Sequence, residues 1–244
     1  MLIDLAIRVQ LQPSFEIQRP QLPRRLADFH FATIPDGLPP SDADSTQDIT
    51  SLYDSTSKNF LVPFSNLISK LNHASSSSDV PPVTCIVSDA CMSFTLDAVE
   101  KFGIPEVLFW TLSACGVLGY SYYKHLVERD LVPLKDASCL TNGYLETTID
   151  WIPGMNNIRL KDLPSFIRAT DPNDILFNFL INESEVAFKA SAIVLNTFDA
   201  LERAAIESLS SNLPPIYTIG PLHFILNQIS DHRLKSIDTN FWKE

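Results

Sequence analysis

The sequence has little glycine and cysteine, few basic residues and no long uncharged apolar run. Seven glycines and 4 cysteines in 244 residues exclude collagen-like chains and disulfide-rich secreted scaffolds. No stretch approaches the ~18 consecutive apolar residues that a membrane-spanning helix requires. Lysine and arginine number 18 against 29 acidic residues, which gives a formal charge of −11. Neither a nucleic-acid groove nor a basic membrane-surface patch is therefore expected.

The same absences bear on the compartment. Residues 1–11 carry Asp4 and Arg8 within their apolar run, unlike the core of a signal peptide. No cysteine pair has the CxxC spacing, so all four thiols are expected to be free and buried in a reducing compartment. These cysteines are Cys85, Cys91, Cys115 and Cys139. The sequence predicts a cytoplasmic protein.

What the sequence does contain is enough apolar material, 45% of residues, for one sizeable core. Short apolar runs alternate with segments of helical periodicity, which predicts an α/β fold with a doubly wound, mainly parallel sheet. The predicted strands are 29–34, 83–87, 107–110, 193–196 and 216–219. The predicted helices include one restarted at Pro63, then 92–102, 114–128, 172–190 and 201–210, with an irregular region over 130–170.

Common cofactor and metal motifs are missing. The sequence has no GxGxxG and no GxxxxGK[ST], so neither a dinucleotide loop nor a P-loop is predicted. The five histidines have no HExxH or similar spacing, which argues against a zinc site. They are His30, His73, His125, His223 and His232. We therefore expect no cofactor and no metal.

Two polar residues stand out by position. Asp89 follows the predicted strand 83–87, and Thr111 follows the predicted strand 107–110. In doubly wound sheets, ligands bind at the carboxyl ends of the strands. The alternative is that Asp89 or Ser88 caps the following helix or pairs locally. The pattern leaves both interpretations open.

Several segments, in order along the chain, resemble the plant UDP-dependent glycosyltransferases. They include 34–40 (IPDGLPP), 82–110 with the following Thr111, 150–154 (DWIPG), 196–198 (NTF) and 219–222 (IGPL). The resemblance covers about residues 27–244, and the subgroup it points to glucosylates cyanohydrins, cytokinins, iridoids and other terpenoid alcohols. It implies the GT-B architecture, in which an N-terminal Rossmann-like domain takes the acceptor and a C-terminal domain holds the sugar nucleotide.

The resemblance also implies roles for single residues. In this family a histidine deprotonates the acceptor hydroxyl, which attacks UDP-glucose with inversion, and a carboxylate orients that histidine. Asp89 matches the carboxylate. Thr111 matches a position that contacts the donor sugar, and Cys91 and Met92 fall where the family lines its acceptor pocket. UDP-glucose is then a co-substrate, and the acceptor is a small lipophilic alcohol or phenol.

The resemblance divides the chain into three parts. Residues 27–222 correspond to the acceptor-binding domain and 223–244 to the start of the interdomain linker, while 1–26 match neither the family's first strand, its helix nor its second strand. The histidine segment PxxxQGHxxP and the HxGxxS donor box have no counterpart. Residues 2–11 alternate apolar and polar side chains, which is typical of an edge strand. The family's first strand is central in the doubly wound sheet, and its loss would leave two unpaired strand edges. We therefore expect a marginally stable chain.

Three hypotheses follow. The first is the acceptor half of a UDP-glucosyltransferase, inactive by itself and bound to a UDP-sugar only when a C-terminal domain is supplied. The second is a non-catalytic module that binds a lipophilic ligand or pairs with an intact homologue. The third is an incomplete product of a longer gene.

Overall fold

The computed structural model describes residue 32 and residues 34–38, 48–75 and 81–228. The prediction for residues 2–11 lies outside the described residues. The same holds for most of the predicted strand 29–34, of which only Ala32 and Ile34 are described, and neither is in a strand.

Helices and strands alternate along the described chain. The helices are α1 (Ile49–Asn59), α2 (Leu61–Ser75), α3 (Phe94–Phe102), α4 (Ala114–Ser121), α5 (Tyr123–Glu128), α6 (Ile175–Val186), α7 (Asp199–Ser210) and α8 (Leu222–Gln228). The strands are β1 (Ile86–Asp89), β2 (Glu106–Trp110), β3 (Thr148–Ile149), β4 (Ile158–Arg159), β5 (Ala192–Leu195) and β6 (Ile216–Thr218). Single turns of 3₁₀ helix occupy much of the region between α5 and α6.

The main sheet is parallel throughout, with the strand order β1-β2-β5-β6. The register pairs Asp89 with Phe109, and Trp110 with Leu195, so the carboxyl ends of these strands share one edge. Strands β3 and β4 form a separate antiparallel pair. The α/β fold with a parallel sheet is as predicted from the alternating pattern.

Two apolar clusters hold the layers together. The larger joins β2 and β5 to α4, α6 and α7 and includes Tyr120 and Tyr123. The smaller lies between α2 and α3, where the Phe94 ring meets those of Phe60 and Phe64 edge-on at 5.4 and 5.5 Å. Full burial of a phenylalanine side chain contributes roughly 1.5–3 kcal/mol, so this junction is a main attachment of α2.

Strand β1 differs from its prediction. It begins at Ile86 instead of residue 83 and extends to Asp89. Val87 is 59% exposed and belongs to neither apolar cluster, whereas its neighbour Ile86 is buried in the smaller one. Within the described residues, β2 is the only strand that pairs with β1. Cys85 is exposed as well, which corrects the expectation that every thiol is buried.

The predicted helix 114–128 is two helices. Tyr122 separates α4 from α5 with φ −101° and ψ 2°. The helix after β1 ends where predicted, because Gly103 adopts φ +63° and donates its backbone N–H to Val99 O, a left-handed cap that glycine accommodates without a Cβ clash. Pro63 lies in the first turn of α2, where its missing N–H costs no helical hydrogen bond.

Two further observations concern the surface and the thiols. None of the helices in the described ranges has both the length and the apolar character needed to cross a membrane. All four cysteines are described and none forms a disulfide.

Candidate active site

The loop between β1 and α3 is shaped by Asp89. One carboxylate oxygen, Oδ1, accepts a hydrogen bond from the backbone N–H of Cys91 at 2.8 Å, and the Asp89 carbonyl accepts one from Met92 N–H at 3.0 Å. Asp89 is exposed, and no described residue donates to its Oδ2. The local-pairing interpretation is therefore correct for one oxygen, while the other accepts no hydrogen bond from the described part of the chain.

The second sequence-predicted position, Thr111, lies at the same edge of the sheet. It is exposed and follows Trp110, the last residue of β2. Because Asp89 pairs with Phe109, Thr111 stands two residues further along the neighbouring strand. The fold thus brings Asp89 and Thr111 to adjacent strand ends.

Cys91 and Met92 follow Asp89 in the loop between β1 and α3. Both are half-buried; Cys91 packs against the larger apolar cluster and Met92 against the smaller. Burial, together with the nearby charges of Asp89 and Glu183, raises the pKa of the Cys91 thiol to about 12. Cys91 therefore stays protonated at neutral pH and presents an apolar surface instead of a nucleophile.

Two tyrosines border the same region. The Tyr53 ring, on α1, lies 4.5 Å from that of Phe179 on α6. Burial raises the pKa of Tyr53, and so do the charges of Cys91, Asp89 and Glu183. Burial, with Cys91 and Tyr53 adding to it, also raises the pKa of Tyr120 to about 12. Both phenols are neutral hydrogen-bonding groups at physiological pH.

A buried carboxylate on α6 is hydrogen-bonded to the end of this loop. Glu183, on α6, is 2% exposed, and its Oε2 and Oε1 accept hydrogen bonds from the backbone N–H and the hydroxyl of Ser93 at 2.8 and 2.7 Å. Burial raises the pKa of Glu183 to about 7, with the Ser93 hydrogen bonds opposing the shift and Asp89 adding to it. Glu183 borders a cavity of about 150 Å³, whose other lining residues are Thr56, Ser57, Leu61, Ser93, Phe94, Asp97, Phe179 and Asn182.

A second carboxylate holds the segment that follows Thr111. Glu202, on α7, accepts hydrogen bonds from the backbone N–H groups of Ala114 and Cys115, both at 2.9 Å. Burial alone would raise its pKa, but the nearby Thr197 side chain and the hydrogen bonds from the backbone N–H groups of Cys115 and Ala114 outweigh that effect and lower it. The anionic Glu202 therefore interacts favourably with the first N–H groups of α4, at the positive end of the helix dipole.

Ser88 does not cap α3. Its hydroxyl donates to Glu106 Oε1 at 2.6 Å, and Thr95 donates to the same oxygen. Glu106 is buried, which raises its pKa. The capping alternative for Ser88 is thus replaced by a polar contact between β1, β2 and α3.

The described histidines lie elsewhere. His73 contacts the Ser69 carbonyl at 2.9 Å, and the rings of His125 and His223 lie against Tyr122 and Phe224. None of the three hydrogen-bonds to Asp89. Over the described ranges, no group of three or more His, Cys, Asp and Glu side chains is arranged to hold a metal ion. His30 and His232 lie outside the described residues.

No protein-family model matches the chain, but individual relatives do. It is 61% identical over 219 residues to 7-deoxyloganetin glucosyltransferase from Gardenia jasminoides, a match covering 90% of this chain and 45% of the relative. It is 58% identical over 221 residues to (R)-mandelonitrile beta-glucosyltransferase from Prunus dulcis, with the same two coverages. The chain belongs to the plant UDP-glycosyltransferases. It spans less than half the length of the curated relatives it matches.

Solved structures of plant UDP-glycosyltransferases share its fold. The apo form of UGT2 from Phytolacca americana superposes with a TM-score of 0.66 at 20% identity, over 93% of this chain and 45% of that one. A UDP-glucosyltransferase from Polygonum tinctorium gives a TM-score of 0.64 at 24% identity, over 86% and 44%. Coverage of under half of these chains corresponds to the N-terminal domain of the GT-B fold, so the predicted fold class is confirmed.

Sequence reasoning found Asp89, Cys91, Met92 and Thr111, whose roles stay predictions, and it missed three residues. Tyr53, Glu183 and Glu202 each reach the site from a helix distant in sequence. None of the three lies in a local pattern that marks a site: Glu183 and Glu202 are single acidic residues of helical segments, and Tyr53 precedes the apolar run of α2.

Proposed function

We propose that this chain is the acceptor-binding part of a UDP-glucosyltransferase. The enzyme transfers glucose from UDP-glucose to a hydroxyl of a small lipophilic acceptor, with inversion at the anomeric carbon. The observation that carries the proposal is the exposed Asp89 carboxylate, held through Oδ1 and with no donor to Oδ2 among the described residues. It lies at the carboxyl edge of a parallel sheet, where α/β proteins bind ligands. The acceptors named for the relatives, 7-deoxyloganetin and mandelonitrile, indicate the chemical class.

In this mechanism Asp89 acts through a histidine. Its Oδ2 accepts the N–H of an imidazole, which fixes the tautomer and stabilises the imidazolium that forms. The other imidazole nitrogen takes the proton of the acceptor hydroxyl. The hydroxyl oxygen then forms a bond to the anomeric carbon while the bond from that carbon to the UDP oxygen breaks, and UDP leaves with the electron pair.

The surroundings of Asp89 support acceptor binding. The hydrogen bond from Cys91 N–H holds one carboxylate oxygen in place, so the other keeps a fixed direction. The neutral Cys91 thiol, Met92 and Tyr53 are each half-buried and provide apolar surface with a few polar atoms, the composition of a small-molecule pocket. Thr111, at the adjacent strand end, is the proposed contact to the donor sugar.

The proposal assigns parts of the reaction to other segments. The sequence contains neither the family's histidine segment nor its donor box, so a polypeptide of these 244 residues is expected to turn over negligible UDP-glucose by itself. A UDP-sugar would bind only with a C-terminal domain. Residues 27–222 are the proposed acceptor domain, and a cytoplasmic location is proposed with it.

Acceptor binding is the direct test. Titration of the chain with mandelonitrile and with a monoterpene alcohol, followed by calorimetry, should give saturable binding that UDP does not change. Met92→Arg should abolish it. Val62→Arg, at a 66% exposed position on α2, should leave it intact. Absence of saturable binding for both ligands, or equal loss in both variants, would contradict the proposal.

A non-catalytic binding module is the second candidate. It is favoured by Tyr53, Cys91 and Met92, half-buried residues of this chain close to Asp89, where a ligand would need no donor domain to bind. The two functions differ at Asp89: a transferase needs it for turnover and little for acceptor affinity, whereas a binding module would use it to hold its ligand. Ligand affinity that depends strongly on Asp89 without any associated turnover would favour the binding module.

A further inference from the structure

The contact between Glu183 and Ser93 joins α6 to the loop that carries the proposed site. Ser93 stands four residues after Asp89 and directly after Met92. Both of its hydrogen-bond donors, the backbone N–H and the hydroxyl, go to the two oxygens of one carboxylate. The loop is thus fixed at its start by Asp89 itself and at its end by Glu183.

Burying the Glu183 carboxylate without a cation costs free energy that a residue with only a packing role would not require. Glu183 is 2% exposed, and no lysine or arginine of the described residues pairs with it. The groups around it are the donors of Ser93 and Asn182 and the acidic or neutral side chains of Asp89, Cys91 and Tyr53. Burying a carboxylate without a cation is unfavourable unless hydrogen bonds compensate, and a leucine would fill the same space without that cost.

The two hydrogen bonds also affect Cys91 and Met92, the residues proposed to contact the acceptor. A shift of Ser93 would carry Met92 and Cys91 with it, since they are consecutive in the chain, and would disturb the Cys91 N–H that holds Asp89 Oδ1. Such a shift would also open the cavity that Glu183 and Ser93 share. The position of Ser93 therefore controls the positions of Cys91 and Met92 and the direction of Asp89 Oδ2.

We propose that Glu183 is a positioning residue that anchors Ser93 and so holds the loop 89–93 in the geometry that binds the acceptor. The role rests on the function proposed above. Glu183 touches neither substrate nor the reacting atoms; it acts through Ser93 on Asp89, Cys91 and Met92.

The test uses the 244-residue chain with three variants. Glu183→Leu removes both acceptors. Glu183→Gln keeps the shape, because its carbonyl oxygen can accept from Ser93 N–H and its amide can donate to the Ser93 hydroxyl. Glu185→Leu is the matched control, on the same helix but exposed and paired only with Lys124. Two readouts are measured: amide hydrogen exchange of a peptide spanning 89–94, and the dissociation constant for mandelonitrile.

Glu183→Leu should speed exchange in the loop and weaken acceptor binding, each by about tenfold or more, since hydrogen bonds to a buried charge are lost. Glu183→Gln should restore both to within about threefold, and Glu185→Leu should change neither. If Glu183→Leu does not fold, Ser93→Ala removes the hydroxyl half of the anchor and should raise exchange in the same peptide.

The outcomes separate the two proposals. Loop exchange in Glu183→Leu that equals the wild type, or that Gln does not restore, would overturn the anchor while leaving acceptor binding intact. Wild-type chain that binds no acceptor would overturn the proposed function and the positioning role with it, whatever the exchange rates show.

Discussion

The Asp89 carboxylate receives the N–H of Cys91 through Oδ1 at 2.8 Å, and its second oxygen has no donor among the described residues. This carboxylate lies at the carboxyl end of β1, and its arrangement is the one that the proposed role requires. A carboxylate that orients an imidazole needs one free oxygen with a fixed direction, and the hydrogen bond from Cys91 supplies that direction.

The junction of α2 and α3 should be a main determinant of stability. Phe64 is 1% exposed and contacts the Phe94 ring edge-on. Phe64→Ala should lower the free energy of unfolding by about 3–5 kcal/mol, the usual cost of removing a buried aromatic side chain. Urea denaturation followed by circular dichroism measures it. Val62→Ala, at an exposed position of the same helix, should change it by less than about 0.5 kcal/mol, and similar losses in both variants would contradict the assigned core.

Stability should fall with pH because of Glu183. Its pKa is raised from 4.5 to about 7 in the folded chain, so the folded state holds a proton that the unfolded state releases over this interval. The contribution is fully present below pH 4.5 and is lost as pH rises through about 7. It amounts to about 3 kcal/mol, at 1.36 kcal/mol for each pKa unit.

Urea midpoints at pH 4.5 and pH 8 for wild type and Glu183→Gln test this dependence. The variant has no titrating group at this position, so the difference between its two midpoints should be smaller by the corresponding amount. Glu185→Gln serves as the control and should follow the wild type. Equal pH dependence in all three proteins would show that Glu183 titrates normally.

The thiols should differ in reactivity. With a pKa of about 12, Cys91 holds a negligible thiolate fraction at pH 8, and Cys115, whose pKa burial raises to about 11, behaves similarly. Cys85 is exposed. Iodoacetamide labelling at pH 8, followed by peptide mass spectrometry, should modify Cys85 at least about tenfold faster than Cys91. Comparable rates for the two would mean that the loop at Cys91 opens readily.

The sequence predicted the elements whose pattern is local. Strand β2 was placed within one residue, and the end of α3 was identified from Gly103, whose positive φ is a backbone property. Strand β1 was placed three residues too early. The apolar run begins at Val83, but pairing begins only at Ile86, whose N–H donates to the carbonyl of Pro105. The hydrophobic pattern predicts where the apolar segment lies, but the pairing with β2 determines where strand β1 begins and ends.

The site was predictable only in part for a related reason. Asp89 and Thr111 follow strands, and strand ends are visible in sequence. Glu183 reaches Ser93 across 90 positions, and Glu202 reaches Ala114 across 88. Such contacts depend on how α6 and α7 dock, which no local pattern records. Tyr53 is likewise brought to Phe179 by the packing of α1 on α6.

The central claim is that Asp89 orients the base of a glucosyl transfer within an acceptor-binding domain. The most direct measurement is turnover by a chimera, in which residues 27–222 replace the matching segment of 7-deoxyloganetin glucosyltransferase from Gardenia jasminoides. We predict that it glucosylates 7-deoxyloganetin or another terpenoid alcohol, and that Asp89→Asn lowers kcat by about 10²–10⁴ with a small change in acceptor KM. Asp54→Asn, at a half-exposed residue paired with Lys58, should leave kcat unchanged. An inactive chimera, or an active one that tolerates Asp89→Asn within about threefold, would contradict the account.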